Sequence, residues 1–238
     1  AKERGGKTWS EYRTKLMLEV SENLIIKPAK KINPNVNLII KYPNWYDDYQ
    51  HTGYNLRDQR LVHDMLYTGT ETRDAGRTQQ NLPRYLAYFL MRYIENSLPG
   101  KNGGGWFDPF DCSHNMNSYI EQAYLTLFAK GREATLFCMG ALLGDFRQFV
   151  PLAGYAFDHC DAFLHELGEP VGISCYKPFN SSGENYLLPV FGMLGIPLEP
   201  TPFFQEDSDV MILSENAAAD LDIVDRIKKY LTAGSTVV

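Results

Sequence analysis

The feature that most constrains this sequence is the alternation of short apolar runs with segments of helical periodicity. Apolar residues recur at three- and four-residue steps over residues 9–24, and the β-rich run 36–42 follows. Three more apolar runs, at 63–68, 105–110 and 134–139, each follow a helix-like segment. Strands that alternate with helices pair in parallel through right-handed crossovers. The sequence therefore predicts an α/β protein with a parallel sheet.

The first predicted strand carries a definite expectation about burial. Residues 36–42 are nearly continuously apolar in the middle of the run. Parallel strands that are covered on both faces have this composition. We therefore expect helices to cover this strand on both sides.

The four strand–helix units are half of what an eight-stranded (β/α) TIM-type barrel contains. Half a barrel leaves an open sheet edge and an uncovered apolar lining, which is unfavourable unless another half covers them. We therefore expect residues 1–167 to form half of such a barrel. On the same ground, we expect the chain to be a piece of a longer protein.

After the last helix of this series, a second strand–helix series begins. Strands are predicted at 171–176 and 209–213, and helices at 184–194 and 221–231. The final residues have the composition of a strand that is cut short. This pattern predicts the start of a second α/β domain over residues 168–238.

The loop after the first strand of that second domain allows two interpretations. Residues 180–183 lie where a flavodoxin-like domain holds phosphate. Ser182 would instead cap the helix that follows, which is the interpretation that we favour. Cys175 lacks the glycine-flanked elbow that exposes an amidotransferase nucleophile, so we expect it to be a packing residue.

Composition argues against several kinds of partner. The net charge of −6 and the pI near 5.4 argue against nucleic acid, because phosphate binding needs clustered Lys and Arg. No apolar run approaches the roughly 20 residues that span a bilayer, so we expect no membrane partner. The cysteines form no CxxC pair and the histidines show no HExxH spacing. We therefore expect no metal ion and no cofactor, and the cellular location stays open.

Carboxylates follow two of the predicted strands, at the end where parallel barrels gather their reactive groups. Glu71 follows the second strand, and Asp108 and Asp111 close the third. Glycoside cleavage needs two carboxyl groups about 5–9.5 Å apart, which makes these three the candidate catalytic residues. Glu71 could instead pair with Arg73 or Arg77. Asp108 could form a turn, and Asp111 could cap the next helix.

Candidate substrate-binding residues lie at the same strand ends. Trp45 and Trp106 have the flat faces on which sugar rings stack, although packing under a loop is equally compatible with the pattern. Lys41 and Asn44 could donate hydrogen bonds to substrate hydroxyls. Arg73 would suit a carboxylated sugar. This chemistry is typical of a cleft for a polar substrate.

The order of segments resembles the family-42 β-galactosidases and their barrel relatives. The likeness is carried by residues 37–45, 67–74, 106–111, 123–142 and 171–213. In that family, the barrel is followed by a trimerisation domain with a flavodoxin-like, class I glutamine-amidotransferase-like fold. The runs GISCYKP at 172–178 and GMLGIP at 192–197 resemble its first strand and the following helix end.

This resemblance implies that the four strands are the fifth to the eighth of the barrel, so that residues 1–167 are its C-terminal half. It places the acid/base Glu of the family on the fourth strand, before Ala1. The nucleophile Glu of the family belongs at the end of the seventh strand. This sequence has Asp108 and Asp111 there and no Glu.

We therefore predict a glycoside-hydrolase-like protein that cleaves carbohydrate with paired carboxylates in its full-length form, whereas this fragment alone is inactive. The alternative is a non-catalytic carbohydrate-binding or assembly protein on a barrel that has lost its nucleophile. A third option is a small-molecule-binding α/β domain that uses loop 181–183. The expected partner is a carbohydrate substrate, and the resemblance implies a homo-oligomer, which is a trimer in the family.

Overall fold

The computed structural model describes residues 4–74, 76–78, 80, 82–112, 115–184 and 186–238, and it contains two four-stranded sheets. The strands are β1 (Ile39–Tyr42), β2 (Met65–Gly69), β3 (Asn102–Phe107), β4 (Glu133–Leu136), β5 (Ile173–Tyr176), β6 (Leu198–Thr201), β7 (Val210–Leu213) and β8 (Thr236–Val237). Every strand pairing in the two sheets is parallel, which confirms the predicted α/β class.

Helices lie in the connections between these strands. They are α1 (Trp9–Val20), α2 (Lys27–Ile32), α3 (Tyr49–Thr52), α4 (Leu56–Val62), α5 (Leu86–Ser97), α6 (Met116–Phe128), α7 (Met139–Leu143), α8 (Phe149–Asp161), α9 (Leu187–Met193) and α10 (Ile223–Thr232). A π-helical stretch, Ser21–Ile26, joins α1 to α2 without a break.

The first sheet has the strand order β1-β2-β3-β4, which is the order of the chain. Each helical crossover therefore returns the chain to the next neighbouring strand, as in a (β/α) barrel. The predicted strands and helices of this half are present, with ends that differ by a few residues. The arrangement is that of half a barrel, as the sequence predicts.

The expectation that β1 is covered on both faces is wrong. β1 is the edge strand of the described sheet, and the side chain of Ile39 is 44% exposed. The helix before it starts with a capping box between Thr8 and Glu11. Its apolar side chains are also open, with Trp9 60% and Leu24 72% exposed. The apolar pattern of this helix and of β1 is therefore not sufficient to predict that their side chains are buried.

Helix α5 is the centre of the molecule. Nine of its twelve residues are buried, so it is covered on nearly all sides. One face packs on the first sheet at Tyr42 and Leu66, and the other packs on the second sheet at Cys175 and Leu198, all within one apolar cluster. The two sheets therefore share a hydrophobic core through this helix.

The second sheet has the order β6-β5-β7-β8. Numbered from its first strand, this is the order 2-1-3-4, which begins the flavodoxin-like doubly wound arrangement. The sequence analysis missed β6, whose Pro200 argues against a strand assignment. Proline is tolerated there because β6 is an edge strand, where one side of the backbone needs no hydrogen bond.

The loop before α9 departs from its predicted role. Ser182 does not cap α9, because this helix begins after Tyr186 and has no side-chain cap. The loop instead contacts the segment after β1: the Gly183 N–H donates to Asp47 Oδ2 at 3.0 Å. The Tyr46 hydroxyl donates to the buried carboxyl of Glu184. Asn185, which falls in the predicted helix 184–194, lies outside the described residues.

A part-buried ion pair joins α5 to β6. The Arg92 guanidinium donates to both oxygens of Glu199, with N–O distances of 2.9–3.1 Å. Asn96 also donates to Glu199, at 2.9 Å, and to the carbonyl of Pro200 at 3.0 Å. These bonds satisfy polar groups at the seam between the two sheets, and they fix α5 against β6.

Removal of Arg92 should destabilise the fold, because Glu199 would keep a largely buried charge without its partner. We expect Arg92→Ala to lower the free energy of unfolding by about 3 kcal/mol. The matched control is Lys228→Ala, which breaks the exposed pair with Asp225 and should cost less than about 1 kcal/mol. Denaturant titration measures both values, and equal losses would contradict the role given to Arg92.

Candidate active site

Parallel pairing brings the carboxyl ends of β1, β2 and β3 to one edge of the first sheet. Asn44 follows β1, Glu71 follows β2 and Asp108 follows β3. Asp108 lies close enough to Glu71 for its charge to raise the pKa of Glu71. Trp45, next to Asn44, is 44% exposed at the same end. The predicted gathering of polar groups therefore holds for Glu71 and Asp108 in particular.

Glu71 lies in a pocket formed by Asn44 and Gly69. The Asn44 amide donates to the backbone carbonyl of Glu71 at 3.0 Å. A Cβ at Gly69 would lie only 2.5 Å from Glu71 Oε2, so the glycine makes room for the carboxyl group. Glu71 Oε2 and Asn44 Oδ1 are both buried and have no hydrogen-bond partner among the described residues. Within the described part of the chain, two buried polar oxygens therefore lack a partner at this strand end.

Burial raises the pKa of Glu71 to about 7, and the nearby Asp108 contributes to the shift. The carboxyl group is therefore about half protonated near pH 7. The predicted alternative, a salt bridge from Glu71 to Arg73 or Arg77, is wrong. Arg73 pairs with Asp108, and Arg77 pairs with Asp74.

Asp108 is held by a bidentate ion pair. Arg73 donates through Nη1 to Oδ1 at 2.9 Å and through Nη2 to Oδ2 at 2.6 Å. The Phe110 N–H also donates to Oδ1 at 3.0 Å, so Asp108 forms the turn that was its structural alternative. Only 1% of Asp108 is exposed. Burial raises its pKa, and Arg73 opposes the rise.

Gln122 on α6 connects the two strand-end loops, and the sequence analysis missed it. Its Nε2 donates to the backbone carbonyl of Asp108 at 3.1 Å, and its Oε1 accepts from the Thr72 N–H at 3.1 Å. The signal in the sequence is a glutamine on the face of α6 that also carries the buried Tyr119 and Thr126. A polar side chain at such a position requires a buried partner.

Asp111 does not cap α6, contrary to the structural alternative considered for it. Asn115 caps the helix by accepting from the Asn117 N–H at 3.1 Å. Asp111 lies earlier in the loop, with a φ of 65° that places it in the left-handed region. Its Oδ2 is buried and has no partner among the described residues. Ser113 and His114, between Asp111 and α6, lie outside those residues.

Lys41 and Trp106 lie below the strand ends, on the face of the first sheet away from α5. The Lys41 ammonium is 5.2 Å from the Trp106 ring centroid and 5.9 Å from that of Tyr67. These residues therefore line the inner face of the half barrel, where the strands would enclose them. Phe137 follows β4 with 47% of its surface exposed, and the sequence analysis did not select it.

A cavity of about 540 Å³ opens beside the Arg73–Asp108 ion pair. The loop after β2, the loop after β3 and helix α9 form its walls. The lining residues are Thr72, Arg73, Asp74, Arg77, Pro83, Arg84, Phe110, Asp111, Cys112, Asn115, Ser118, Val190 and Met193. The cavity therefore takes its walls from loops and helices of both halves of the chain, and it shares Arg73 and Asp111 with the candidate site.

The described part of the chain contains no group of three His, Cys, Asp or Glu side chains that could hold a metal ion. In the same residues, no helix has both the length and the apolar character to cross a membrane. The chemistry that these residues offer is that of carboxyl groups, an arginine and aromatic rings.

Comparisons with known proteins identify the family of the chain. Residues 1–162 match the family described as "Probable glycosyl hydrolase, catalytic domain", so the chain belongs to that family. Residues 168–238 match the family described as "Uncharacterized protein SSO3021, second domain". The uncharacterized protein SSO3021 of Saccharolobus solfataricus is 26% identical over 232 residues, which cover 93% of this chain and 38% of that protein.

The fold is similar to that of a cold-adapted β-galactosidase from Rahnella sp. R3, known from a crystal structure. The TM-score is 0.61 at 14% sequence identity, over 96% of this chain and 40% of the β-galactosidase chain. At that identity the likeness concerns the fold, and it supports the predicted glycosidase-like architecture. The chain spans about two fifths of the length of either similar protein.

Glu71→Gln should change the pH dependence of stability. A folded pKa near 7 means that folded Glu71 keeps its proton between about pH 4.5 and 7, whereas the unfolded chain loses it. Glu71 therefore makes the fold less stable as pH rises through that window. We therefore compare the free energy of unfolding of Glu71→Gln with that of the wild type at each pH. We expect this difference to favour the variant by about 1–3 kcal/mol more at pH 8 than at pH 4.

Denaturant unfolding at several pH values measures this difference. The control is Asp145→Asn, because Asp145 is an exposed carboxylate in the loop after α7. That variant should follow the wild-type curve at every pH. A pH-independent effect of Glu71→Gln would show that Glu71 ionises normally in the folded protein.

Proposed function

We propose that the full-length protein is a glycosidase that hydrolyses carbohydrate, with a barrel of the family-42 β-galactosidase kind. One observation carries this proposal: at the carboxyl end of the parallel strands, Glu71 is a largely buried carboxyl group with an oxygen unpartnered among the described residues, and burial raises its pKa to about 7. Barrel enzymes gather their reacting groups at that end. The match of residues 1–162 to a glycosyl hydrolase catalytic domain supports the same class of reaction.

Hydrolysis adds water across the glycosidic C–O bond. The leaving oxygen takes a proton, and the anomeric carbon takes the hydroxyl group. A general acid works best when its pKa lies near the working pH, which suits Glu71 at about 7. Asn44 is fully buried, so we assign it a positioning role: its amide donates to the backbone carbonyl of Glu71 at 3.0 Å.

We assign Asp108 a positioning role in this reaction. Its two oxygens are occupied by Arg73, and it has almost no exposed surface from which to reach a sugar carbon. Its charge instead raises the pKa of Glu71 and so helps to keep the proton in place. The resemblance places the acid/base Glu of the family before Ala1, so giving the acid role to Glu71 departs from the family. That Glu would then supply the second carboxylate that the reaction needs.

We further propose that residues 1–167 and 168–238 are separate domains, and that the second is amidotransferase-like in fold. The 2-1-3-4 strand order of the second sheet supports this proposal. Cys175 is fully buried, and burial raises the pKa of its thiol, so Cys175 does not act as a nucleophile. By the same resemblance, the full-length protein would be a homo-oligomer, namely a trimer.

A second candidate function is carbohydrate binding without turnover. The observation in its favour is the residue at the end of β3. Asp108 stands where the resemblance expects a nucleophilic Glu, and Arg73 occupies both of its oxygens. A barrel that had lost its nucleophile could keep the aromatic and polar groups that hold a sugar.

The deciding experiment measures binding and turnover together in the full-length protein. A panel of nitrophenyl glycosides and oligosaccharides is tested by product analysis and by calorimetry. We expect turnover by the wild type and a loss of about 100-fold or more in kcat for Glu71→Gln, as for removal of a general acid. Asp145→Asn is the matched control and should keep wild-type turnover.

The outcomes separate the two candidate functions. Glycan binding by the wild type without any product would reject the enzyme and favour the binding protein. If the Glu71→Gln variant turned over substrate at the wild-type rate, Glu71 would not be the general acid. The 238-residue chain assayed alone should be inactive, because half of the barrel lining is then missing.

A further inference from the structure

The cavity between the two sheets has no role in the proton transfer proposed for Glu71. Its volume of about 540 Å³ falls within the range of roughly 300–1,000 Å³ that is typical of ligand sites. It adjoins the candidate active site, because Arg73 both binds Asp108 and lines the cavity. We infer that it binds a second, uncharged sugar ring of the substrate, with Asp111 as a specificity-determining residue. This inference rests on the proposed function.

The charges of the cavity wall argue against an acidic ligand. Three arginines line it, but each is already paired with a carboxylate: Arg73 with Asp108, Arg77 with Asp74 and Arg84 with Glu121. A paired guanidinium attracts an anion weakly, because its charge is balanced locally. Asp111 is the lining carboxylate with no ion pair among the described residues. The wall therefore offers a hydrogen-bond acceptor rather than an anion site.

Asp111 has the geometry of a ligand-binding residue. The left-handed φ of 65° is uncommon for a residue with a side chain, and it costs free energy that the loop must compensate. Its Oδ2 is buried without a partner among the described residues, which leaves a strong acceptor unsatisfied beside the cavity. A sugar hydroxyl is a donor that would satisfy it.

Apolar side chains on the cavity wall suit the C–H faces of a sugar ring. Phe110 contributes an aromatic ring that is held from two sides, by Phe146 at 5.7 Å between ring centroids and by Arg73 at 5.8 Å. Val190 and Met193 of α9 lie in the opposing wall and are 39% and 50% exposed. A pyranose presents hydroxyls at its edge and C–H groups on its face, and the cavity offers complementary surfaces for both.

The position of α9 gives the second sheet a part in substrate selection. The first sheet supplies Arg73, Phe110 and Asp111, and α9 supplies Val190 and Met193. Arg73, the partner of Asp108, lines the cavity, whereas Glu71 does not. A ring bound there would therefore be a second ring beside the one that meets Glu71. Longer carbohydrates would then bind more tightly than single sugars.

The test compares disaccharides with their monosaccharides by calorimetry. It uses the full-length protein carrying Glu71→Gln, so that turnover does not consume the ligand. The probes are lactose with galactose and cellobiose with glucose. We expect one disaccharide to bind about ten-fold more tightly than its monosaccharide. Adding Asp111→Asn or Met193→Ala should reduce that ratio to below about two-fold, with monosaccharide affinity unchanged.

Met17→Ala is the control, because Met17 is a part-exposed methionine on α1, away from the cavity. It should keep the full ratio. Absence of a disaccharide preference in the parent protein overturns the inference, and so does a preference that survives both cavity variants. Equal loss of mono- and disaccharide binding in Asp111→Asn also overturns it and assigns Asp111 to the reacting sugar. Failure of the proposed function appears separately, as absence of hydrolysis by the wild type.

Discussion

The burial of α5 between two parallel sheets is the constraint on which the rest of this structure depends. Nine of the twelve residues of this helix are buried, so it needs a sheet against each of two faces. The barrel sheet covers one face and the flavodoxin-like sheet covers the other. The Arg92–Glu199 pair then sets the rotation of the helix at the seam. Because α5 follows the loop that carries Glu71 and Arg73, this packing also fixes where that loop ends.

The sequence was sufficient for the architecture because strand–helix alternation is a local pattern. Seven of the eight strands were predicted, since apolar runs bounded by turns are visible without tertiary information. β6 was missed because Pro200 is acceptable only at a sheet edge, and edge position is a property of the whole sheet. The prediction that β1 is covered on both faces is wrong for a related reason. An apolar pattern shows which residues could be covered, but the neighbouring strands determine whether they are.

At the candidate active site, the sequence predicted which side chains lie near one another better than it predicted their ion-pair and hydrogen-bond partners. Parallel pairing guarantees that strand ends meet, so Glu71 and Asp108 could be placed together from their positions alone. The choice of Asp108 over Glu71 as the partner of Arg73 depends on side-chain geometry within a few ångströms, which no spacing encodes. Gln122 was missed because it lies mid-helix, far along the chain from the two loops that it joins.

The segment after β1 has a mechanical consequence. Trp45 is exposed, yet both of its neighbours are fully buried: Asn44 is anchored in the barrel half, and Tyr46 is anchored on Glu184 of the flavodoxin-like half. The backbone on both sides of the indole is thus already fixed. Stacking of a flat ligand on Trp45 would therefore cost little additional backbone entropy. A shift of one half against the other would move this ring, so Trp45 would report on how the two halves sit together by its fluorescence once Trp9 and Trp106 are replaced.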